Sequence, residues 1–189
     1  MGRRAFLRGQ RLRRIVVPYR PPWAMAEALF TRACTRCGAC VTACPTGLLA
    51  QGMGGFPEAN FQRAHCTFCA DCAHACTEEN VRQGASSQPT ALAFSPDLPP
   101  WALQATVSAA CLPHRGVLCR SCEGHCAAEA IRFVPRPGSP ARPDITESRC
   151  TGCGECVASC PVHAISMQAF PPTNPSGLHS TPFPEKSPQ

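Results

Sequence analysis

The chain has few of the residues that build a large apolar core. Only 6% of its 189 residues are aromatic, with one tyrosine and two tryptophans, whereas 21 are prolines. It also has no run of 18 or more apolar residues, so no transmembrane segment is predicted. A chain of this composition needs something besides hydrophobic burial to stabilise it, such as disulfides or metal centres.

The motifs of common enzyme classes are absent as well. There is no Gly-rich dinucleotide fingerprint, no P-loop and no nucleophile elbow. The 12 acidic residues do not form a recognisable catalytic pair. We therefore expect no catalytic residues and predict that the protein is not an enzyme.

Acidic residues are missing from the N-terminus, which is rich in arginine. The first 20 residues hold seven arginines and no acid, and because the whole chain has a formal net charge of +6, the remainder carries one net negative charge. Residues 1–22 therefore form a predicted basic arm, which is typically solvated or binds an acidic partner. A nucleic-acid partner is not expected, since no basic patch with interleaved aromatic residues follows the arm.

The paired arginines Arg3 and Arg4 resemble the start of a twin-arginine export signal. A secretory signal also needs an apolar stretch of roughly 7–15 residues, followed by a cleavage site. Here only Ile15, Val16, Val17 and Pro18 follow before the polar "YRPP". The pattern favours a cytoplasmic protein over an exported one.

What the chain does have is 16 cysteines, and they fall into four groups of four. Group one is followed by Pro45, group two by Thr77 and group four by Pro161. Group one is Cys34, Cys37, Cys40 and Cys44; group two is Cys66, Cys69, Cys72 and Cys76; group three is Cys111, Cys119, Cys122 and Cys126; group four is Cys150, Cys153, Cys156 and Cys160.

Groups one, two and four share the spacing C-x2-C-x2-C-x3-C, the ligand run of [4Fe–4S] clusters in bacterial ferredoxins. Three thiolates within seven residues require a loop that curls around one face of a cluster, and small residues such as Gly38 and Gly154 let backbone N–H groups approach the sulfides. Zinc sites instead use two C-x2-C pairs a dozen or more residues apart. The twelve cysteines of these groups are the predicted ligands of three clusters.

The cysteine spacing of group three is irregular, and an internal repeat of the sequence shows which cysteine is out of place. Group one maps onto group three with an offset of 82 residues, and group two maps onto group four with an offset of 84. In that register Gly116 stands where Cys34 stands in group one, while Cys111 lies five residues upstream of Gly116. Cys111 either reaches a fourth cluster through the "LPHRG" loop, or that cluster has only three cysteine ligands. His114 is a further candidate, although a lone histidine in a polar loop is more often solvated.

The repeat predicts an α+β fold of two tandem bacterial-ferredoxin-like modules, with short helices and β-hairpins around [4Fe–4S] clusters. The hairpins are expected on either side of "GMGG" and of "PRPGSPARP", and "WALQATV" is predicted as a strand, with a short helix as the alternative. The flanking arm and tail are expected to be flexible. The predicted divisions are residues 1–22 (arm), 23–83 (first module), 84–100 (linker), 101–169 (second module) and 170–189 (Pro-rich tail).

The resemblance to two-cluster ferredoxins implies a pairing in which the fourth cysteine of each run serves the other cluster. Cys76 would then join Cys34, Cys37 and Cys40, and Cys44 would join group two. Ligation of each cluster by a single run would use the same twelve residues grouped differently, so both arrangements remain open. Thr77 departs from the proline usual at that position, which puts the stability of the group-two cluster in question.

Several segments together resemble the NapF family of ferredoxin-type accessory proteins of the periplasmic nitrate reductase system. The segments are "RRAFLRG", "RPPW", "CTRCGAC", "GMGGFPEANF", "ACLPHRGVLCRSCEGHC" and "CGECVASCPVHAI". The resemblance implies a cytoplasmic protein that acts on the precursor of the nitrate reductase catalytic subunit and assists its iron–sulfur loading before export. The alternative is a polyferredoxin that carries electrons to a reductase, which would use the same cysteines.

Overall fold

The computed structural model describes residues 18–85 and 87–170. Within them the chain forms short helices interspersed with short antiparallel strands. The helices are α1 (Glu27–Ala33), α2 (Ala39–Thr42), α3 (Asp71–Arg82), α4 (Ser121–Gly124) and α5 (Glu155–Ala158). The strands are β1 (Leu49–Gln51), β2 (Pro57–Ala59), β3 (Leu103–Val107), β4 (Ile131–Arg136), β5 (Ser139–Ile145) and β6 (Ile165–Ala169).

The strands form three two-stranded antiparallel sheets. Strands β1 and β2 make the predicted hairpin around "GMGG", with Leu49 opposite Ala59. Strands β4 and β5 make the second one, with Ile131 opposite Ile145. These strands extend through most of "PRPGSPARP", because a two-stranded ribbon has open edges where proline needs no partner for its missing N–H. The α+β ferredoxin-like fold is therefore confirmed.

The third sheet joins the two ends of the second module. Strand β3, predicted from the alternation in "WALQATV", pairs with β6, so that Leu103 lies opposite Ala169 and Val107 opposite Ile165. The alternative of a short helix here is wrong. The pairing partner is not visible in the sequence, because β3 and β6 are separated by almost the whole module.

Helix α3 is the main departure from the symmetry of the repeat. After groups one, three and four the chain leaves the last cysteine and enters a strand, whereas after Cys76 it continues as helix to Arg82. Thr77 permits this continuation: it keeps its backbone N–H, and its hydroxyl donates a hydrogen bond to the carbonyl of Ala73 (3.1 Å). A proline there would lack the N–H and clash with the preceding turn.

The core is small and is built around the cysteines. Cys40, Cys72, Cys122 and Cys156 are all buried, beside apolar side chains that include Phe30, Leu48, Leu92 and Val157. Leu92 and its neighbour Ala91 belong to the segment predicted as a linker, yet both are buried, and Leu92 pairs with Ala24. This segment lies beside Cys76 and the first three cysteines of group one.

The end of the predicted basic arm, residues 18–22, packs against both modules. The carbonyl of Tyr19 accepts a hydrogen bond from the N–H of Ala59 (2.7 Å). The Tyr19 hydroxyl donates a hydrogen bond to the carbonyl of Met167. Pro21 is fully buried. Residues 1–17 of the arm, including Arg3 and Arg4, and residues 171–189 of the tail lie outside the described residues. Among the helices of the described part, none has the length and apolar character that crossing a bilayer requires.

Candidate metal centres

The three regular cysteine runs share one loop conformation. In each, the residues immediately before and after the second cysteine have a left-handed backbone. These residues are Arg36 and Gly38, Phe68 and Ala70, and Gly152 and Gly154. A left-handed conformation costs a non-glycine residue roughly 1–2 kcal/mol, so its recurrence at matched positions indicates a local requirement. Alternation of this kind turns successive N–H groups toward one side, where they attract an anionic group.

Backbone N–H groups also point at the cysteine sulfurs. Ala130 donates to Sγ of Cys126 (3.3 Å), and Ala164 donates to Sγ of Cys160 (3.2 Å). In both cases the donor lies four residues after the last cysteine of its group, immediately before a strand. Such hydrogen bonds stabilise thiolates, which are the form of cysteine that binds metal.

Cys44 shows the net effect of these hydrogen bonds. Burial raises its pKa, but the N–H groups of Leu49 and Leu48 and the Thr46 hydroxyl outweigh burial, and the pKa of Cys44 is lowered from its ordinary value. In group two the equivalent N–H groups come from a distant segment, since α3 continues past Cys76. They belong to Ala91 and Leu92, and they partly offset the rise that burial causes in the pKa of Cys76.

The first cysteine set combines three cysteines of group one with the last cysteine of group two. The set lines a cavity with an empty volume of about 480 Å³. Burial, together with the charges of Cys76, Cys34 and Cys37, raises the pKa of Cys40 to about 12, which places all four side chains close together. We call Cys34, Cys37, Cys40 and Cys76 set I.

The second set has the reciprocal composition. Burial raises the pKa of Cys72 to about 12, with contributions from Cys66 and Cys69. The pKa of Cys66 is raised to about 11: burial is the main cause, the N–H of Phe68 opposes the rise, and the charges of Cys69, Cys44 and Cys153 add to it. The thiol of Cys44 therefore lies near that of Cys66. We call Cys44, Cys66, Cys69 and Cys72 set II.

Set IV repeats this arrangement in the second module. A cavity with an empty volume of about 330 Å³ is lined by Cys126 of group three and three cysteines of group four. Burial, together with neighbouring thiols that include Cys153, Cys150 and Cys126, raises the pKa of Cys156 to about 12. Set IV comprises Cys126, Cys150, Cys153 and Cys156.

Set III contains the irregular loop. Burial, together with the charges of Cys111, Cys119 and Cys160, raises the pKa of Cys122 to about 11. The side chain of Cys111 is only 9% exposed; burial raises its pKa, and the charges of Cys160 and Cys119 contribute, which places it near them. The chain reaches Cys119 from Cys111 through a 3-10 helix (Leu112–Arg115) that ends at the left-handed Gly116. Set III comprises Cys111, Cys119, Cys122 and Cys160.

The backbone of set III differs from that of the other sets. Leu118 and Arg120 flank Cys119, at the positions where the regular runs have left-handed residues, and neither is left-handed. Leu118 is 84% exposed and Val117 is 49% exposed. His114, the other candidate ligand, donates its backbone N–H to the carbonyl of Cys111 (3.0 Å). The loop of set III therefore exposes apolar side chains and lacks the oriented N–H groups that flank the second cysteine of the regular runs, while Cys111, Cys122 and Cys160 are buried.

The donor sets fit iron–sulfur clusters. Each set brings four thiols together, with backbone N–H groups directed toward the sulfurs, as cluster sites require. Among residues 18–85 and 87–170, no group of three or more histidine, cysteine, aspartate or glutamate side chains is arranged to hold a single metal ion.

Sequence reasoning missed a positive charge beside set I. Arg20 lies over the rings of Phe30 (5.0 Å) and Phe56 (5.3 Å) and forms an ion pair with Glu27 (2.7 Å). The hydrogen bond with Glu27 is the main cause that raises the pKa of Arg20, and the charge of Cys34 contributes. The only sequence signal was the "RPPW" segment that contains Arg20.

Comparisons with known proteins agree with this site. The sequence model of the 4Fe-4S dicluster domain matches residues 33–80 and 117–172. The ferredoxin-type protein NapF of Haemophilus influenzae is 38% identical over 176 residues, which cover 88% of this chain and 93% of that protein. NapF of Escherichia coli K12 is 40% identical over 168 residues, covering 88% of this chain and 94% of the relative. The ferredoxin-type protein NapG of H. influenzae is 30% identical, over 86% of this chain and 62% of its own length. With its paired dicluster domains and its likeness to NapF along most of both chains, this protein belongs to the NapF family of ferredoxin-type proteins.

Proposed function

We propose that this protein is an iron–sulfur accessory protein that assists cytoplasmic maturation of the catalytic subunit of periplasmic nitrate reductase before export. Membership of the NapF family supports the link to that enzyme. The proposed partner is the precursor form of the subunit, and the proposed contribution is the supply of iron and sulfide. This role requires no catalytic side chain, and none of the predicted ligand residues is proposed to be catalytic.

The sixteen cysteines are the proposed ligands of four [4Fe–4S] clusters, one at each of sets I to IV. Each proposed cluster takes three thiolates from one cysteine group and one from its partner group. When bound, such clusters supply one-electron redox chemistry or iron and sulfide for transfer. The protein's own contribution is to hold the thiolates, to direct N–H groups at the sulfurs and to exclude water from the buried cysteines.

The observation that carries the maturation proposal is the irregular loop of set III. Cys119 follows the exposed Val117 and Leu118, and it lacks the left-handed neighbours that flank the second cysteine of each regular run. Without them, fewer backbone N–H groups are oriented toward the metal site, which weakens the retention of metal. We therefore propose that set III is the donor site and that the other three sets retain their clusters.

Iron transfer tests this proposal. The protein is reconstituted anaerobically with isotopically labelled iron, and then incubated with cluster-free catalytic subunit and separated from it. We expect labelled iron to move to the subunit, with the loss confined to about a quarter of the iron, since one of four clusters is donated. The Cys119→Ser variant should transfer little iron, whereas Cys69→Ser, which changes the equally placed cysteine of set II, should still transfer it. Full retention of iron by the unmutated protein would contradict the proposal.

The alternative function is a polyferredoxin that carries electrons to a reductase. The close packing of the cysteine groups in both modules favours it, since electron transfer benefits from several neighbouring stable clusters. In that case the chemically reduced protein should reduce a cluster-loaded reductase, and it should retain all of its own iron when it is incubated with the cluster-free subunit. The same incubation therefore separates the two functions, because maturation moves iron and electron transfer does not.

Cytoplasmic action is part of the proposal and has its own test. Residues 1–33 are fused to a reporter that is active only in the periplasm, and no activity is expected, because only four residues of apolar character follow the arginines. A processed and active periplasmic reporter would overturn the proposed location and leave the cluster sites unaffected.

A further inference from the structure

The four cysteine sets are connected by contacts between their own elements. Within the first module α2 packs against α3, and these helices carry the buried Cys40 of set I and Cys72 of set II. Within the second module α4 packs against α5, which carry Cys122 of set III and Cys156 of set IV. Each module therefore places its two sets side by side.

The modules meet at sets II and IV. The backbone N–H of Cys66 in set II donates a hydrogen bond to the carbonyl of Cys153 in set IV (2.9 Å). This contact joins one proposed ligand directly to another across the module boundary. In the internal repeat, groups two and four are equivalent, so equivalent loops of the two modules face each other.

Aromatic side chains cover this contact. Trp101 donates its indole N–H to the carbonyl of Gly152 (3.1 Å) and packs edge-on against Phe61 (5.3 Å between ring centres) and Phe68 (6.5 Å). Phe61 is almost fully buried. The three rings come from both modules and hold the group-four loop against the group-two loop.

Gly154 permits the close approach. A Cβ atom at this position would overlap the ring of Phe61. The glycine therefore serves two purposes, because its left-handed backbone also belongs to the loop of set IV. A side chain at position 154 would push the group-four loop away from the first module.

From these contacts we infer that the four cluster sites, or centres, form a linear series in the order I, II, IV, III. The contact between sets II and IV crosses the module boundary. The inference rests on the ligand sets proposed above. With clusters bound and a one-electron reductant present, neighbouring centres would exchange single electrons, one being oxidised as the next is reduced, and the series would connect both modules. Set III, the proposed donor site, then lies at one end of this series, and set I lies at the other end.

Paired variants of the full chain test this order by electron paramagnetic resonance after anaerobic reduction with dithionite. Cys37→Ser with Cys119→Ser changes sets I and III and leaves sets II and IV. Cys69→Ser with Cys153→Ser changes the equivalent cysteines of sets II and IV and leaves the two ends. We expect interaction splitting and fast relaxation in the first variant and isolated signals in the second. Isolated signals in the first variant, or equal splitting in both, would overturn the proposed order.

A second comparison leaves all sixteen cysteines in place. Gly154→Ala should reduce the interaction splitting, because its methyl group forces the two loops apart. Gly138→Ala is the matched control: Gly138 is also left-handed, but a Cβ there meets nothing within 4 Å. Splitting in Gly154→Ala equal to that of the control would contradict the role of the contact between sets II and IV. Iron content measured on the same samples tests the ligand sets separately, since fewer than four clusters in the unmutated protein would refute those instead.

Discussion

Replacing Thr77 with proline should destabilise the protein, although it restores the residue that usually follows the fourth cysteine of a ferredoxin run. Position 77 lies inside α3, which runs from Asp71 to Arg82. Proline removes the backbone N–H that the helix uses and clashes with the carbonyl one turn earlier, at a cost of about 3 kcal/mol or more. For a chain of this size, that cost corresponds to a fall of about 6–12 °C in the unfolding midpoint.

The damage should reach set I, because the end of α3 positions the segment that covers Cys76. Asn80 donates side-chain hydrogen bonds to the carbonyls of Ala85 (2.9 Å) and Gln88 (3.2 Å), which brings the chain back toward the core. The N–H groups of Ala91 and Leu92 then face the sulfur of Cys76. Breaking α3 at residue 77 should therefore weaken the packing of this segment against Cys76 and expose set I to solvent.

The assay is thermal unfolding of the anaerobic, iron-loaded protein followed by circular dichroism, with iron release followed in parallel. Thr77→Ser is the control, since serine keeps both the backbone N–H and the hydroxyl that bonds to Ala73. We expect the serine variant to match the unmutated protein and the proline variant to unfold earlier and release iron sooner. A proline variant with an unchanged midpoint and unchanged helicity would refute the reasoning from α3.

Three further predictions concern single side chains. Cys111→Ser and Cys119→Ser should each lower the iron content by about a quarter, because both are proposed ligands of one of four clusters; full iron content in Cys111→Ser would remove it from set III. Burial raises the pKa of Tyr19 above its ordinary value of 10.0, so its contribution to stability is present below pH 10.0 and lost as the pH rises through the folded-state value. Since Tyr19 is the only tyrosine, the near-ultraviolet absorption of tyrosinate reports its titration directly, and a normal midpoint in the folded protein would contradict its burial. Phe61→Ala should cost about 3–5 kcal/mol in unfolding free energy, measured by denaturant titration, with Phe61→Leu as the milder control; a loss below about 1 kcal/mol would show that the aromatic contact between modules contributes little.

The sequence alone was enough to predict the fold class and the position of the hairpins. Three cysteines within seven residues constrain a loop so tightly that the spacing itself indicates a cluster site. The repeat then determined that two such modules follow one another, and the alternation in "WALQATV" was enough to predict β3. These features depend on residues that are close together in the chain, which is why they can be read without a structure.

Only the tertiary structure brought Cys111 beside Cys122 and showed that β3 pairs with β6. It also revealed that Ala91 and Leu92, in a segment read as a linker, cover Cys76, and that Cys66 meets Cys153 at the junction of the modules. Each of these contacts joins residues that are separated by a loop, a helix or a whole module. No local pattern specifies such contacts, because they arise from how the elements pack around a core too small to be formed by apolar side chains alone.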